Sequence, residues 1–309
     1  MRRIRTSDFV RTAAAVLFAA AGLAAAVVLS AAQAAPVRPP RLAVSHAARA
    51  LVPGEAVLLT FTATGGSLTS VRGTAFGQPF TAYEGGRDGA WQALVGIDLA
   101  VKPGPAAVDV EARLADGSPL TARLPLKVAP KTFATRRLTV APEFVTPPPA
   151  EQARIDRERL LLNRILSTIS PRHLWGDGFA APVDGDVISV FGVRSVFNGE
   201  SRAPHRGIDL RGATGTPVRA PARGVVVLAE LLYFSGSTVV LDHGLGVFSM
   251  LAHLSRIDVK PGSLVVRGDM VGAVGATGRV TGPHLHWTLR IGPAAVDPLS
   301  VLAIAGAER

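Results

Sequence analysis

From residue 41 to residue 128 the chain is written in short runs of apolar and polar side chains. Ala56-Val57-Leu58-Leu59-Thr60-Phe61-Thr62, the stretch Trp91 to Val101, and Ala107 to Leu114 alternate or run apolar, and Gly, Pro and Asp punctuate them. A period of two sends successive side chains to opposite faces, so each segment buries one face and leaves the other wet. The spacing predicts an all-β, sandwich-like module over residues 36–146. Val-Lys-Pro-Gly occurs twice, at 101–104 and 259–262, and reads as turn chemistry rather than a repeat.

After Pro147-Pro148-Pro149 the period changes. Ile155, Leu162, Ile165, Leu166 and Ile169 recur three, four and seven apart among the charges Arg154, Asp156, Arg157, Glu158, Arg159 and Arg164. That is an amphipathic helix, expected to end before Pro171, and residues 147–175 form a Pro-rich boundary and a helical linker. From Asp184 onward β-branched residues, Gly and Pro dominate again, and no long helical period follows. The fold class is therefore all-β: two β domains joined by an amphipathic helix, the second over residues 176–300 with a tail at 301–309.

The first 35 residues read differently. Arg2, Arg3, Arg5 and Arg11 precede an uncharged stretch from Thr12 to Ser30, and small residues follow at Ala32, Ala34 and Ala35. This is the pattern of a signal peptide over residues 1–35, which directs the body of the protein to the periplasm or outside the cell. The stretch also reaches the length that spans a bilayer, so a retained leader would act as a membrane anchor.

The chain has 309 residues, with 48% in the hydrophobic set and 18% charged, a balance that excludes wholesale disorder. The formal charge is +10, of which the leader carries three. Arg supplies 29 of the 33 basic residues. Attraction to an acidic polymer follows from that charge, but no motif points to nucleic acid. Cysteine is absent, which rules out thiol catalysis, Cys-ligated metals and disulfide staples. A metal site in this chain has to use His and carboxylates.

Four of the seven histidines fall in three contexts: Pro204-His205-Arg206-Gly207-Ile208-Asp209, Leu251-Ala252-His253-Leu254, and Gly282-Pro283-His284-Leu285-His286-Trp287. In a strand, His284 and His286 face the same side, about 6.6 Å apart along the chain. Such a pair is a frequent metal-site element and also occurs for structural reasons. His205 and Asp209 share strand parity too, but four extended residues would separate them by about 13 Å, too far to grip one ion. The chain has to bend between them. Gly207 is placed to allow the bend and to leave room for a cation or substrate.

These residues resemble the lysostaphin-type zinc metalloendopeptidases, which carry His-x-x-x-Asp followed at a distance by His-x-His. Phe191-Gly192-Val193-Arg194, Asn198-Gly199, Gly215-Thr216-Pro217-Val218, Asp242-His243-Gly244, Ala252-His253-Leu254 and Thr277-Gly278 extend the likeness in family order over residues 180–298. The resemblance implies that His205, Asp209 and His286 bind one Zn2+ and that His253 and His284 are the catalytic histidines. Two imidazoles and a carboxylate leave a fourth position for water, the mark of a catalytic zinc. The implied substrate is bacterial peptidoglycan, cut in its peptide cross-links or stem peptides. The alternative is a non-enzymatic envelope regulator of the same fold that activates another wall hydrolase. The N-terminal module lies outside the resemblance and is a candidate surface for an envelope protein partner.

Two departures stand out. Leu251 occupies a position where relatives often have Tyr, and Thr288 one where an acidic residue often orients a ligand histidine. Asp242 is a candidate substitute acceptor, although Asp242 and His243 read more simply as a turn before a hairpin. Arg194 and Asn198 resemble groove residues of the family. His46 and His173 read as surface or packing residues.

Overall fold

Strict alternation builds the first module. Its strands are β1 (Arg41–Ala47), β2 (Ala56–Thr64), β3 (Leu68–Ala75), β4 (Gln78–Thr81), β5 (Tyr83–Glu84), β6 (Trp91–Gly96), β7 (Gly104–Leu114) and β8 (Pro119–Val128). They form two four-stranded sheets, ordered β1-β2-β6-β5 and β4-β3-β7-β8. Val57, Leu59 and Phe61 of the first sheet share one core with Val71, Val108 and Val110 of the second. The Phe61 and Phe80 rings stack across it with centroids 5.7 Å apart. This is the expected sandwich. The structure is a computed structural model and describes residues 39–85, 87–139 and 147–305. The leader expected over residues 1–35 lies outside the described residues, among which no helix is long and apolar enough to cross a membrane.

The second half begins with a crossover. Strand β9 (Thr135–Leu138) belongs by sequence to the first module, yet it pairs in parallel with β11 (Arg194–Phe197), a strand of the second half. Helix α1 (Gln152–Leu166) follows, then β10 (Val187–Ser189) and, beyond β11, β12 (Glu200–Ser201), β13 (Ile208–Arg211) and β14 (Pro217–Arg219). The long meander is β15 (Gly224–Leu232), β16 (Gly236–Gly244) and β17 (Val247–Ile257). The chain finishes with β18 (Leu264–Val265), β19 (Met270–Val274), β20 (His284–Ile291), β21 (Ala294–Val296) and helix α2 (Pro298–Ala305). The main sheet runs β10-β13-β20-β17-β16-β15-β18.

This sheet is covered on both faces, so its central strands are apolar almost throughout. Val239, Leu241, Leu251, Leu254, Trp287 and Leu289 fill the main core. On the other side Leu161, Leu162, Ile165 and Leu166 of α1 pack on Leu228, Leu232, Val240 and Phe248. The linker helix thus exists as expected and serves as a cover of the sheet.

The expected C-terminal tail needs correction. Residues 298–305 are a helix, started by Asp297, which accepts from the Leu299 N–H at 3.0 Å, with Pro298 at the first helical position. Helix α2 ties the two halves together: the Ala56 N–H donates to Ser300 Oγ at 2.9 Å, and Arg49 bridges buried Glu55 and Asp297 at 2.7 and 2.6 Å. Residues 39–305 therefore hold together as a single compact unit.

Candidate functional site

Pairing register assembles the centre of the site. Strand β13 is antiparallel to β20 with Asp209 directly opposite His286, and β17 flanks β20 on its other side with Ala252 opposite His286. Along β20 the parity is as the sequence indicated: Leu285, Trp287 and Leu289 are buried in the core, and His284 and His286 line the cleft. His205 precedes β13 on a segment pinned by main-chain bonds, His205 N–H to Val193 O at 2.9 Å and Gly192 N–H to His205 O at 2.8 Å. The bend between His205 and Asp209 is real, since His205 Nε2 lies 3.1 Å from Asp209 Oδ1. Gly207 makes room for protein rather than for a cation or substrate: a Cβ there would stand 2.4 Å from the Trp287 carbonyl oxygen and 2.9 Å from the His286 ring.

Three donor atoms form a tight triangle. His286 Nδ1 is 2.9 Å from Asp209 Oδ1 and 3.0 Å from His205 Nε2. His205, Asp209 and His286 are a group able to hold a metal ion. A tetrahedral ion with bonds of 2.0–2.1 Å needs ligand separations of about 3.3 Å, within a few tenths of an ångström of those found. The donor set, two imidazoles and one carboxylate, fits such an ion.

Each histidine has its other ring nitrogen tied down, which aims the free nitrogen at one volume. His205 Nδ1 lies 3.0 Å from Val190 O, His253 Nδ1 2.9 Å from Thr277 O, and His284 Nδ1 2.9 Å from Gly282 O. His286 turns the opposite way, its Nε2–H donating to Thr288 Oγ1 at 2.9 Å. Thr288 is thus the acceptor whose acidic counterpart is missing from this sequence. Asp242 does not fill that role; it accepts from Gly244 N–H and Ser170 Oγ at the end of β16, and His243 is fully buried between Arg223 O and Ser249 Oγ. His46 is exposed, and His173 stacks on Tyr83 with centroids 3.7 Å apart.

His253 and His284 stand beside the triangle, their ring centroids 5.0 Å apart, with His284 Nε2 3.7 Å from Asp209 Oδ1. His253 has φ of 65°, a left-handed conformation that a non-glycine residue adopts at a cost of about 1 kcal/mol or more. Its N–H is held by Ser235 O at 2.8 Å, so the β15–β16 hairpin fixes the strained residue. Burial pushes the His253 imidazole down to about 4 and also lowers His286. Burial opposes the charge on Asp209, but hydrogen bonds to His205 and His286 outweigh it and hold the carboxyl well below its ordinary range. His205 is raised: its own burial is overcome by the bond to Asp209.

All five residues open onto a cleft of about 470 Å³. Arg194 and Asn198 are not part of its lining. Asn198 is at the β11–β12 turn with φ of 50°, next to Gly199 at 87°, so the Asn-Gly pair makes a tight turn. The cleft is lined instead by Arg136, Arg202, Arg206 and Arg279, which the motif reading passed over.

An all-β chain thus brings a His-Asp-His group able to hold a metal ion beside two further histidines in one cleft. Residues 203–298 match the pattern of Peptidase family M23. The crystal structure of a Pseudomonas aeruginosa protein described as a peptidase M23 superposes with a TM-score of 0.63 and 35% identity, over 83% of this chain and 96% of that one. The chain belongs to Peptidase family M23, and the likeness to that structure extends well beyond the third of the sequence in which it was legible. It is also 47% identical over 87 residues to peptidoglycan DD-endopeptidase ShyA of Vibrio cholerae, covering 28% of this chain and 20% of that protein. To the DD-carboxypeptidase/endopeptidase Mpg of Neisseria meningitidis it is 44% identical over 97 residues, 31% of this chain and 22% of the relative. The matched segment spans about a fifth of each of these relatives.

Proposed function

We propose that this protein is an exported zinc endopeptidase that hydrolyses an amide bond in peptidoglycan cross-links or stem peptides, in the periplasm or outside the cell. One observation carries the reading: His205, Asp209 and His286 offer three ligand atoms within 4.8 Å, with His253 and His284 facing the same volume. The named activities of the matched relatives support the substrate class.

His205 would hold zinc through Nε2, His286 through Nδ1 and Asp209 through Oδ1. The ion supplies a Lewis acid for the scissile carbonyl and acidifies water toward a pKa of about 7. The remaining work falls to this chain. Val190 O and Thr288 Oγ1 fix the ligand tautomers. His253 and His284 each donate Nδ1–H to a carbonyl, leaving the Nε2 lone pair free to take a proton and, once protonated, to return it as a donor. The pair thereby provides a base for the attacking water and a hydrogen-bond donor for the oxyanion.

The test is release of soluble muropeptides from purified sacculi. His286→Ala and His253→Ala should each lower the rate by about a thousandfold or more, and a chelator should abolish it until zinc is restored. Undiminished hydrolysis by His286→Ala, or in chelator, would overturn the reading. An inert wild type that stimulates a separate amidase would establish the regulator instead.

A further inference from the structure

The lining of the cleft is electrostatically one-sided. Four arginines line it, Arg136, Arg202, Arg206 and Arg279, and its single carboxylate, Asp209, is committed to His205 and His286. Two of the four are fixed in place by their neighbours. Arg279 lies over the Phe234 ring at 4.5 Å, with its main-chain N–H bound to Phe234 O at 2.8 Å. Burial, followed by the charge of neighbouring Arg202, lowers the pKa of Arg279. Arg202 gives Nη2 to Glu200 at the exposed rim, at 2.8 Å, while its Nε is buried with no hydrogen-bond partner among the described residues.

A buried, unused N–H donor opposes folding unless something answers it. Arg136 adds a third positive charge from an unexpected direction. It sits on β9, opposite Ser195 of β11, so the strand leaving the first module becomes part of the cleft wall. The planar fork of a guanidinium matches the two oxygens of a carboxylate, which makes arginine the residue suited to reading that group on a peptide.

We propose that Arg136, Arg202 and Arg279 form a carboxylate-recognition wall, by which the protein selects peptides bearing free carboxylates near the scissile bond over the same peptides amidated. This deepens the endopeptidase reading and rests on it for the location of that bond. The carboxylate comes either from a side chain of the stem or from the end of the peptide.

The experiment uses the full chain loaded with zinc and one cross-linked muropeptide in three forms: fully acidic, amidated on its side-chain carboxylates, and amidated at its C-terminus. The acidic form should be cleaved with kcat/KM roughly tenfold above at least one amidated form, mostly through KM, and the form that loses identifies the source. Arg202→Gln and Arg279→Gln should each bring that ratio toward 1, with Arg136→Gln acting less strongly. Arg202→Lys, which keeps the charge without the fork, should retain part of it, and Arg72→Gln, on the outer face of the first module, should leave the ratio intact. Circular dichroism confirms folding of each variant. The same peptides are titrated into His253→Ala protein, so that binding is read without turnover. A preference in Kd with no cleavage by the wild type would overturn the endopeptidase reading and keep the wall. Equal Kd and equal kcat/KM for all three forms, or a preference untouched in the Gln variants, would overturn the wall.

Discussion

Strands β7 and β20 obey the same alternation and put it to opposite uses. In β7, Val108, Val110, Ala112 and Leu114 are buried, and the intervening Asp109 and Glu111 pair across the outer face with Arg123 and Arg72 at 2.8 Å each. Those carboxylates and guanidiniums are more than half exposed, so each pair contributes about 0–1 kcal/mol. In β20 the alternate positions are His284, His286 and Thr288, and every one of them has a partner that fixes its direction. The lesson is that the two-residue period only chooses a face. What the face meets, water in one half and a cleft in the other, decides whether its polar residues are dispensable.

The sharpest way to break the contrast is to disturb the seam between β13 and β20. Gly207→Ala places a methyl group against the Trp287 carbonyl and the His286 ring, so Asp209 and His286 must separate. A displacement of about 1 Å lowers activity on the order of a hundredfold. Muropeptide release and zinc affinity measure it together. Gly77→Ala, in the β3–β4 turn with nothing within 4 Å of the added carbon, strains a backbone at φ of 77° and costs stability of about 1 kcal/mol with no loss of activity. Equal activity in the two variants would remove the distinction between the halves.

A subtler change keeps the shape of β20 and removes one acceptor. Thr288→Val leaves the Nε2–H of His286 without its oxygen, so zinc affinity in competition with a chelating dye should fall about 10–100-fold. Thr288→Asp should restore it. The matched change on β7, Asp109→Asn, should alter neither affinity nor activity. An unchanged zinc affinity in Thr288→Val would show that the hydroxyl does not orient the ligand.

Much of this site could be read from the sequence because its logic is local. The shared parity of His284 and His286 follows from two residues of spacing, and the bend between His205 and Asp209 from a distance argument. What escaped was non-local or conformational. Which ring nitrogen faces the centre depends on Val190 O and Thr288 Oγ1, partners that only the sheet register supplies. The left-handed His253 could not be picked out by residue type, because histidine is enriched at positive φ yet adopts it in only a small minority of positions. Strand β9 is four residues long and pairs with a segment about 60 residues away, so no periodicity announces it. Helix α2 did leave a signal, an Asp cap followed by Pro at the first turn, but its eight residues are too few and too apolar to show an amphipathic period.

The halves also differ in what acid does to them. Among the described residues the first module buries only Glu55 as a charged group, and Arg49 and Lys131 hold that carboxylate: burial opposes its charge, and their hydrogen bonds bring its pKa below the usual range. The second half buries His243 completely, between Arg223 O and Ser249 Oγ, and burial pushes its imidazole down to about 4. Above pH 6.5, the ordinary histidine value, both the folded and the unfolded states carry it neutral and it contributes no pH dependence. Between 6.5 and 4 the unfolded chain takes up a proton that the folded protein refuses, so stability falls as pH falls, by at most about 1.4 kcal/mol per pH unit. Below 4 both states are protonated and the slope vanishes. His243→Gln should be less stable at pH 7, because it gives up packing and a bond to Ser249, yet its urea midpoint should decline less steeply between pH 6.5 and 4 than that of the wild type. Parallel curves for the two proteins would mean that the acid sensitivity of the second half arises elsewhere.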